Sequence, residues 1–83
     1  MRLDKFLKVA RIIKRRTIAN EACDAGKVSV NGKVARASYE VKVGDVIELT
    51  MGAKVLRVKV TQVSEFCKKE DALKMYENLD KQR

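Results

Sequence analysis

Residues 26–33 read Gly26-Lys27-Val28-Ser29-Val30-Asn31-Gly32-Lys33. Val28 and Val30 flank Ser29 in strand-like alternation, and Asn31-Gly32 is a dipeptide that readily takes the two left-handed positions of a tight hairpin turn. Gly26 stands where a helix would end, just past its C-cap. The segment predicts the end of a helix, a strand, a turn and a returning strand, and the chain on either side can be placed from it.

Upstream, Thr17 is the expected N-cap of a helix whose Ile18, Ala19, Ala22, Cys23 and Ala25 make a small-residue apolar face, with Asn20, Glu21 and Asp24 outward. Alanines allow close approach, so this helix should pack against a first one over about residues 3–12, where Leu3, Phe6, Leu7, Ala10 and Ile13 form one stripe. Asp4 lies in the opening turn, suited to the helix dipole and spaced to pair with Lys8. Downstream, Val41, Val43 and a Gly44-Asp45 turn lead to a strand over 46–50. Gly52 precedes another over 55–63, where Leu56, Val58 and Val60 alternate with Arg57, Lys59 and Thr61. Over 68–81, Ala72, Leu73, Tyr76 and Leu79 share a helical stripe, and Glu70 with Lys74 and Glu77 with Lys81 have ion-pair spacing. The expectation is an α+β fold: two packed N-terminal helices, a small antiparallel sheet, and a C-terminal helix folded back onto it.

Charge is distributed unevenly along this scaffold. The chain has 83 residues with 19 lysines and arginines against 11 acidic residues, a net charge of +8. Residues 1–42 hold eleven of the basic side chains and only four acidic ones. Arg2, Lys5, Lys8, Arg11, Lys14, Arg15 and Arg16 face only Asp4 before Thr17, and Lys27, Lys33 and Arg36 rim the hairpin turn. Such asymmetry points to a polyanionic partner. The start of the second helix adds backbone N–H groups and a Thr17 hydroxyl beside Arg15 and Arg16, a combination suited to phosphate.

Other chemistry is poorly supplied. Histidine is absent, which removes imidazole bases and the commonest metal ligand. Cys23 and Cys67 form no Cys-x-x-Cys pair, so no metal site is expected and both read as buried thiols of a cytoplasmic protein. No Gly-rich phosphate loop, carboxylate cluster or nucleophile pair is present, so no enzyme, cofactor or small-molecule substrate is expected. Leu3, Phe6 and Leu7 are committed to the core rather than to a membrane surface. Aromatics are 5% of residues and tryptophan is absent, so folded RNA held by its backbone fits better than readout of unpaired bases.

Arg2-Leu3-Asp4-Lys5-Phe6-Leu7, Arg15-Arg16-Thr17 opening a helix, Gly26-Lys27-Val28, Val30-Asn31-Gly32-Lys33 and Gly44-Asp45, in that order over about residues 1–50, resemble the S4 RNA-binding domain. The resemblance implies an αL-type fold in which two helices and a bent hairpin present a basic face to structured RNA. It makes Arg2, Lys5, Arg15, Arg16 and Lys33 the expected contacts and Gly26, Asn31, Gly32 and Gly44 shape-giving residues. The wider set of candidate RNA-binding residues adds Lys8, Arg11, Lys14, Thr17, Lys27 and Arg36. Residues 1–83 are read as a single such domain. Its start, the Ile13-Lys14-Arg15-Arg16-Thr17 segment and Lys68-Lys69-Glu70 with Met75-Tyr76 resemble the RqcP family of bacterial ribosome-associated quality control. That resemblance implies a monomer off the ribosome whose partners are large-subunit rRNA, peptidyl-tRNA and an RqcH-like protein. The role implied is to steady the tRNA during alanine tailing of stalled chains. Heat-shock-type S4 proteins that recycle nascent-chain-bearing large subunits are the alternative, and an adaptor using the C-terminal helix on a protein partner is another.

Overall fold

A computed structural model describes residues 1–63 and 74–79. Two helices, α1 (Leu3–Val9) and α2 (Arg16–Asp24), precede five strands: β1 (Val28–Val30), β2 (Lys33–Val34), β3 (Val46–Met51), β4 (Lys54–Val60) and β5 (Tyr76–Asn78). The strands form one antiparallel sheet in the order β2-β1-β3-β4-β5. The expected α+β architecture is thus observed, with the helices packed on one another beside a small sheet.

The core follows the apolar periodicities. Leu3, Phe6, Leu7 and Ala10 from the first helical segment and Ala19 and Cys23 from α2 meet Val28, Val30, Ile47, Leu49, Val58 and Val60 from the sheet. Asn31 and Gly32 take φ of 54° and 85°, so the chain reverses within two residues and Val30 pairs with Lys33, as the dipeptide predicts. Gly26 occupies the position after the C-cap of α2 at φ 78°. There its N–H bonds to the Cys23 carbonyl, and that of Lys27 to Ala22, both at 3.0 Å.

Helix α1 stops at Val9 instead of continuing to residue 12. The same closing pattern intervenes: Arg11 N–H bonds to Lys8 carbonyl and Ile12 N–H to Leu7 carbonyl, each at 3.0 Å, with Arg11 at φ 61°. This reversal turns Ile12 and Ile13 back against the core as half-buried residues. Helix α2 begins at Arg16 with Arg15 as N-cap and no side-chain cap. Thr17 is therefore inside the helix rather than capping it. An earlier start puts Arg16 and Asn20 one turn apart, where both reach Asp4.

The C-terminal helix expected over 68–81 is corrected where it is described: Tyr76–Asn78 is a strand paired antiparallel with β4, Val60 opposite Tyr76 and Val58 opposite Asn78. Residues 68–73 and 80–81 of that expectation, and Cys67, lie outside the described residues. Helical spacing loses here because β4 would otherwise present an open row of N–H and C=O groups, and because Met75 is fully buried when the segment lies along that edge. The idea of an adaptor helix presenting Tyr76 loses its helix at this position.

Candidate nucleic-acid interface

The site is assembled around Asp4, which is buried to 2% exposure although it lies in the first turn of α1. The chain just before and within that turn is zipped onto the segment that follows β2. Leu3 N–H bonds to Tyr39 carbonyl at 2.8 Å and Asp4 N–H to Ala37 carbonyl at 3.2 Å. With its backbone so fixed, the Asp4 carboxylate accepts from the Lys5 N–H at 2.7 Å, Arg2 Nε at 3.2 Å, Arg2 Nη2 at 3.4 Å and Asn20 Nδ2 at 3.2 Å. Arg16 Nε completes the group at 3.4 Å. The expected Asp4–Lys8 pair is thus replaced by a buried hub, and Asn20 belongs to that hub instead of an outer face.

One carboxylate therefore holds two guanidinium groups, one ahead of α1 and one at the start of α2. Their side chains remain about half exposed, 49% for Arg2 and 48% for Arg16, so donors not engaged with Asp4 face solvent. Burial pushes the Asp4 carboxyl upward in pKa, but Asn20, Arg2, the Lys5 amide and Arg16 outweigh it and hold the group below its ordinary value. It stays ionised, and the cluster keeps a net positive charge. Arg16, Thr17, Asn20 and Glu21 line a shallow cavity of about 340 Å³ with Asp4. A guanidinium presents its donors in a fixed fork, so anchoring one edge orients the rest toward a phosphate.

A second cationic region surrounds the hairpin bend. Lys33 and Arg36 are exposed and line an open cavity of about 520 Å³ together with Val34, Ser38 and Tyr39. Its shape is set by another buried carboxylate. Asp45 accepts from Asn31 Nδ2 at 3.1 Å, Tyr39 Oη at 3.0 Å and the Lys42 N–H at 3.0 Å, while Asn31 Oδ1 accepts from Val46 N–H at 3.0 Å. Burial raises the Asp45 carboxyl, yet these donors and the nearby Lys42 charge bring it below its ordinary pKa. Burial and donation to Asp45 both raise the Tyr39 phenol. Asn31, Gly32 and Gly44 are the turn residues of this region, with Gly44 at φ 96°.

Of the remaining candidates, Lys5 is half-buried, and Lys8, Arg11, Lys14, Arg15 and Lys27 are exposed. The structure thus unites Arg2, Arg16 and Thr17 around Asp4, and Lys33 with Arg36 at the bend. The two regions adjoin through the Ala37 and Tyr39 carbonyls that hold the start of α1. Sequence reasoning gives Asp4 and Asn20 other roles, a pair with Lys8 and an outer face, and gives Tyr39 none. The only local signal for Asp4 is a lone carboxylate among seven cations.

The S4 domain model matches residues 1–47, which include both helices, the hairpin and the two buried aspartates, Asp4 and Asp45. The chain belongs to the S4 domain family. An RQC P-site tRNA stabilizing factor of Streptococcus pneumoniae (strain ATCC BAA-255 / R6) is 52% identical over 83 residues, covering all of this S4 domain chain and 94% of that protein. One from Bacillus subtilis (strain 168) is 48% identical over 83 residues, covering all of this chain and 96% of that one. Among solved structures, trimeric Heat Shock Protein 15 of Vibrio cholerae superposes with a TM-score of 0.88 at 31% identity, over 96% of this S4 chain and 82% of its own.

Proposed function

We propose that the protein is a non-catalytic RNA-binding factor that associates with the large ribosomal subunit obstructed by peptidyl-tRNA. There it steadies the tRNA while alanine is added to the stalled chain with an RqcH-like partner, in the cytoplasm where ribosomes work. The whole chain acts as one S4-type unit. The observation that carries this reading is the pair of half-exposed guanidiniums, Arg2 and Arg16, held on the buried Asp4 carboxylate. Lys33 and Arg36 extend the cationic surface to the bend, and Lys5, Lys8, Arg11, Lys14, Arg15, Thr17 and Lys27 complete the proposed contact set. Full-length relatives at about half identity carry the name RQC P-site tRNA stabilizing factor, which directs the choice of RNA.

The test is co-sedimentation with large subunits bearing peptidyl-tRNA. Arg16→Ala and Arg2→Ala are expected to weaken binding at a temperature where both variants remain folded, although each lowers the thermal transition by taking a donor from the buried Asp4. If about six phosphates are neutralised, affinity falls roughly a thousandfold between about 50 and 200 mM salt. Parent-like binding by both variants, or a flat salt response, overturns the reading. The similarity to Heat Shock Protein 15 favours recycling of nascent-chain-bearing large subunits as the second reading. Sequencing RNA crosslinked in cells separates the two. Large-subunit rRNA recovered together with P-site tRNA, and alanine tails lost on deletion, support the first; recovery with tails unchanged supports the second.

A further inference from the structure

The cavity at the hairpin bend has a composition that backbone gripping leaves unexplained. Val34 is 66% exposed on the two-residue strand β2, an apolar side chain left in water at the cavity wall. The half-buried Tyr39 also lines the cavity, its backbone carbonyl accepting from the Leu3 N–H and its Oη donating to Asp45 at 3.0 Å. Lys33 and Arg36 add two cations to the lining, and among the described residues that line it none is a carboxylate. A pocket pairing apolar and aromatic walls with a cationic rim matches a flat, apolar-faced group carried on an anionic backbone.

We infer that this cavity receives a single unstacked nucleobase of the bound RNA, packed against Tyr39 and Val34, with its flanking phosphates on Lys33 and Arg36. The inference rests on the RNA-binding reading above and adds to it a base contact. Recognition of base identity is weak, because the Asn31 amide is already engaged on both atoms, with Asp45 at 3.1 Å and Val46 at 3.0 Å. Ser38 is the exposed side-chain hydroxyl left at the cavity to meet a base edge. The occupant is accordingly selected by being unpaired and reachable more than by its sequence.

The experiment compares Tyr39→Phe with Tyr39→Leu in the full chain, measuring affinity for large subunits across a salt series. Both variants lose the bond to Asp45, and only the second loses the aromatic face. Tyr39→Leu should bind about five- to a hundredfold more weakly than Tyr39→Phe, the range found for removing one base-stacking side chain, with an unchanged salt slope. Ser38→Leu, which fills the cavity from an exposed position outside the core, should weaken binding in the same slope-preserving way. Lys33→Ala should instead lower the slope by about one. Tyr39→Leu and Ser38→Leu both within twofold of Tyr39→Phe, while the parent still binds in a salt-dependent manner, would overturn the base pocket and leave the proposed function standing. A parent chain that fails to bind large subunits removes both.

Discussion

Two buried aspartates organise this molecule, and they do so with opposite kinds of partner. Asp4 is surrounded by charged donors, the guanidiniums of Arg2 and Arg16, together with Asn20 and one amide. Asp45 is surrounded by neutral donors, the Asn31 amide, the Tyr39 hydroxyl and the Lys42 N–H. A carboxylate satisfied by cations that stay half exposed aims charge at the outside. A carboxylate satisfied by neutral groups from three points of the chain fixes a bend. The first therefore bears on what the surface binds, and the second on whether the surface has its shape.

Substitution of each aspartate is the most direct way to break this comparison. Asp45→Ala leaves the Asn31, Tyr39 and Lys42 donors without their acceptor, and a loss of about 3 kcal/mol is expected in urea unfolding. Its folded fraction should still bind RNA through the Arg2 and Arg16 region. Asp4→Ala should cost about 2 kcal/mol of stability, and about tenfold in large-subunit affinity although it raises the net charge by one unit. If affinity rises with the added charge, Asp4 is only a neutraliser and the contrast between the two carboxylates fails.

Acid sharpens the same contrast. Both carboxyls are held below their ordinary pKa in the folded protein, Asp4 and Asp45 alike. Each contributes stability that is present above the unfolded value near ~3.9 and is lost as pH falls through the lower folded value. Thermal melts should therefore be level from neutrality to about pH 5 and fall below about pH 4. In Asp4→Asn that fall should be shallower, the remainder belonging to Asp45. The Cys23 thiol, raised to about 11 by burial and then by Asp4 and Asp24, should resist alkylating reagents at neutral pH in the folded chain.

The smallest expected effect concerns the two helix ends. Both close with the same pair of hydrogen bonds, but Gly26 holds the left-handed position after α2 and Arg11 holds it after α1. A side chain there costs about 1 kcal/mol, so Arg11→Gly should raise stability by that amount in chemical unfolding. If Arg11 also meets a phosphate, the same change lowers the salt slope by about one. A gain in stability with an unchanged slope would assign Arg11 to the general charge of the surface.

Local backbone signals made much of the fold legible in the chain itself. Gly26 ends a helix and Asn31-Gly32 turns a hairpin because left-handed residues state their geometry without help from distant neighbours. The apolar stripe of Leu3, Phe6, Leu7 and Ala10 is equally self-contained. What escaped depends on partners far along the chain. Asp4 is defined by Arg16 and Asn20, twelve and sixteen residues away, and Tyr76 by Val60 across an equal gap. The place of Tyr39 depends on Asp45, six residues on, and on the cavity beside it, neither of which the aromatic content of the chain shows. The end of α1 gave no warning, since arginine carries no preference for the conformation it takes there.

Strand β5 has a consequence for how the chain reaches its native state during synthesis. Its hydrogen bonds close the outer side of β4, and Met75 enters the same core as Phe6 and Leu7. The half that carries both cationic regions is translated first, yet the sheet beside it stays unfinished until residue 78 has emerged. A nascent chain arrested before that point would leave the β4 edge open and the core without Met75, so the complete fold forms only once residue 78 has been made.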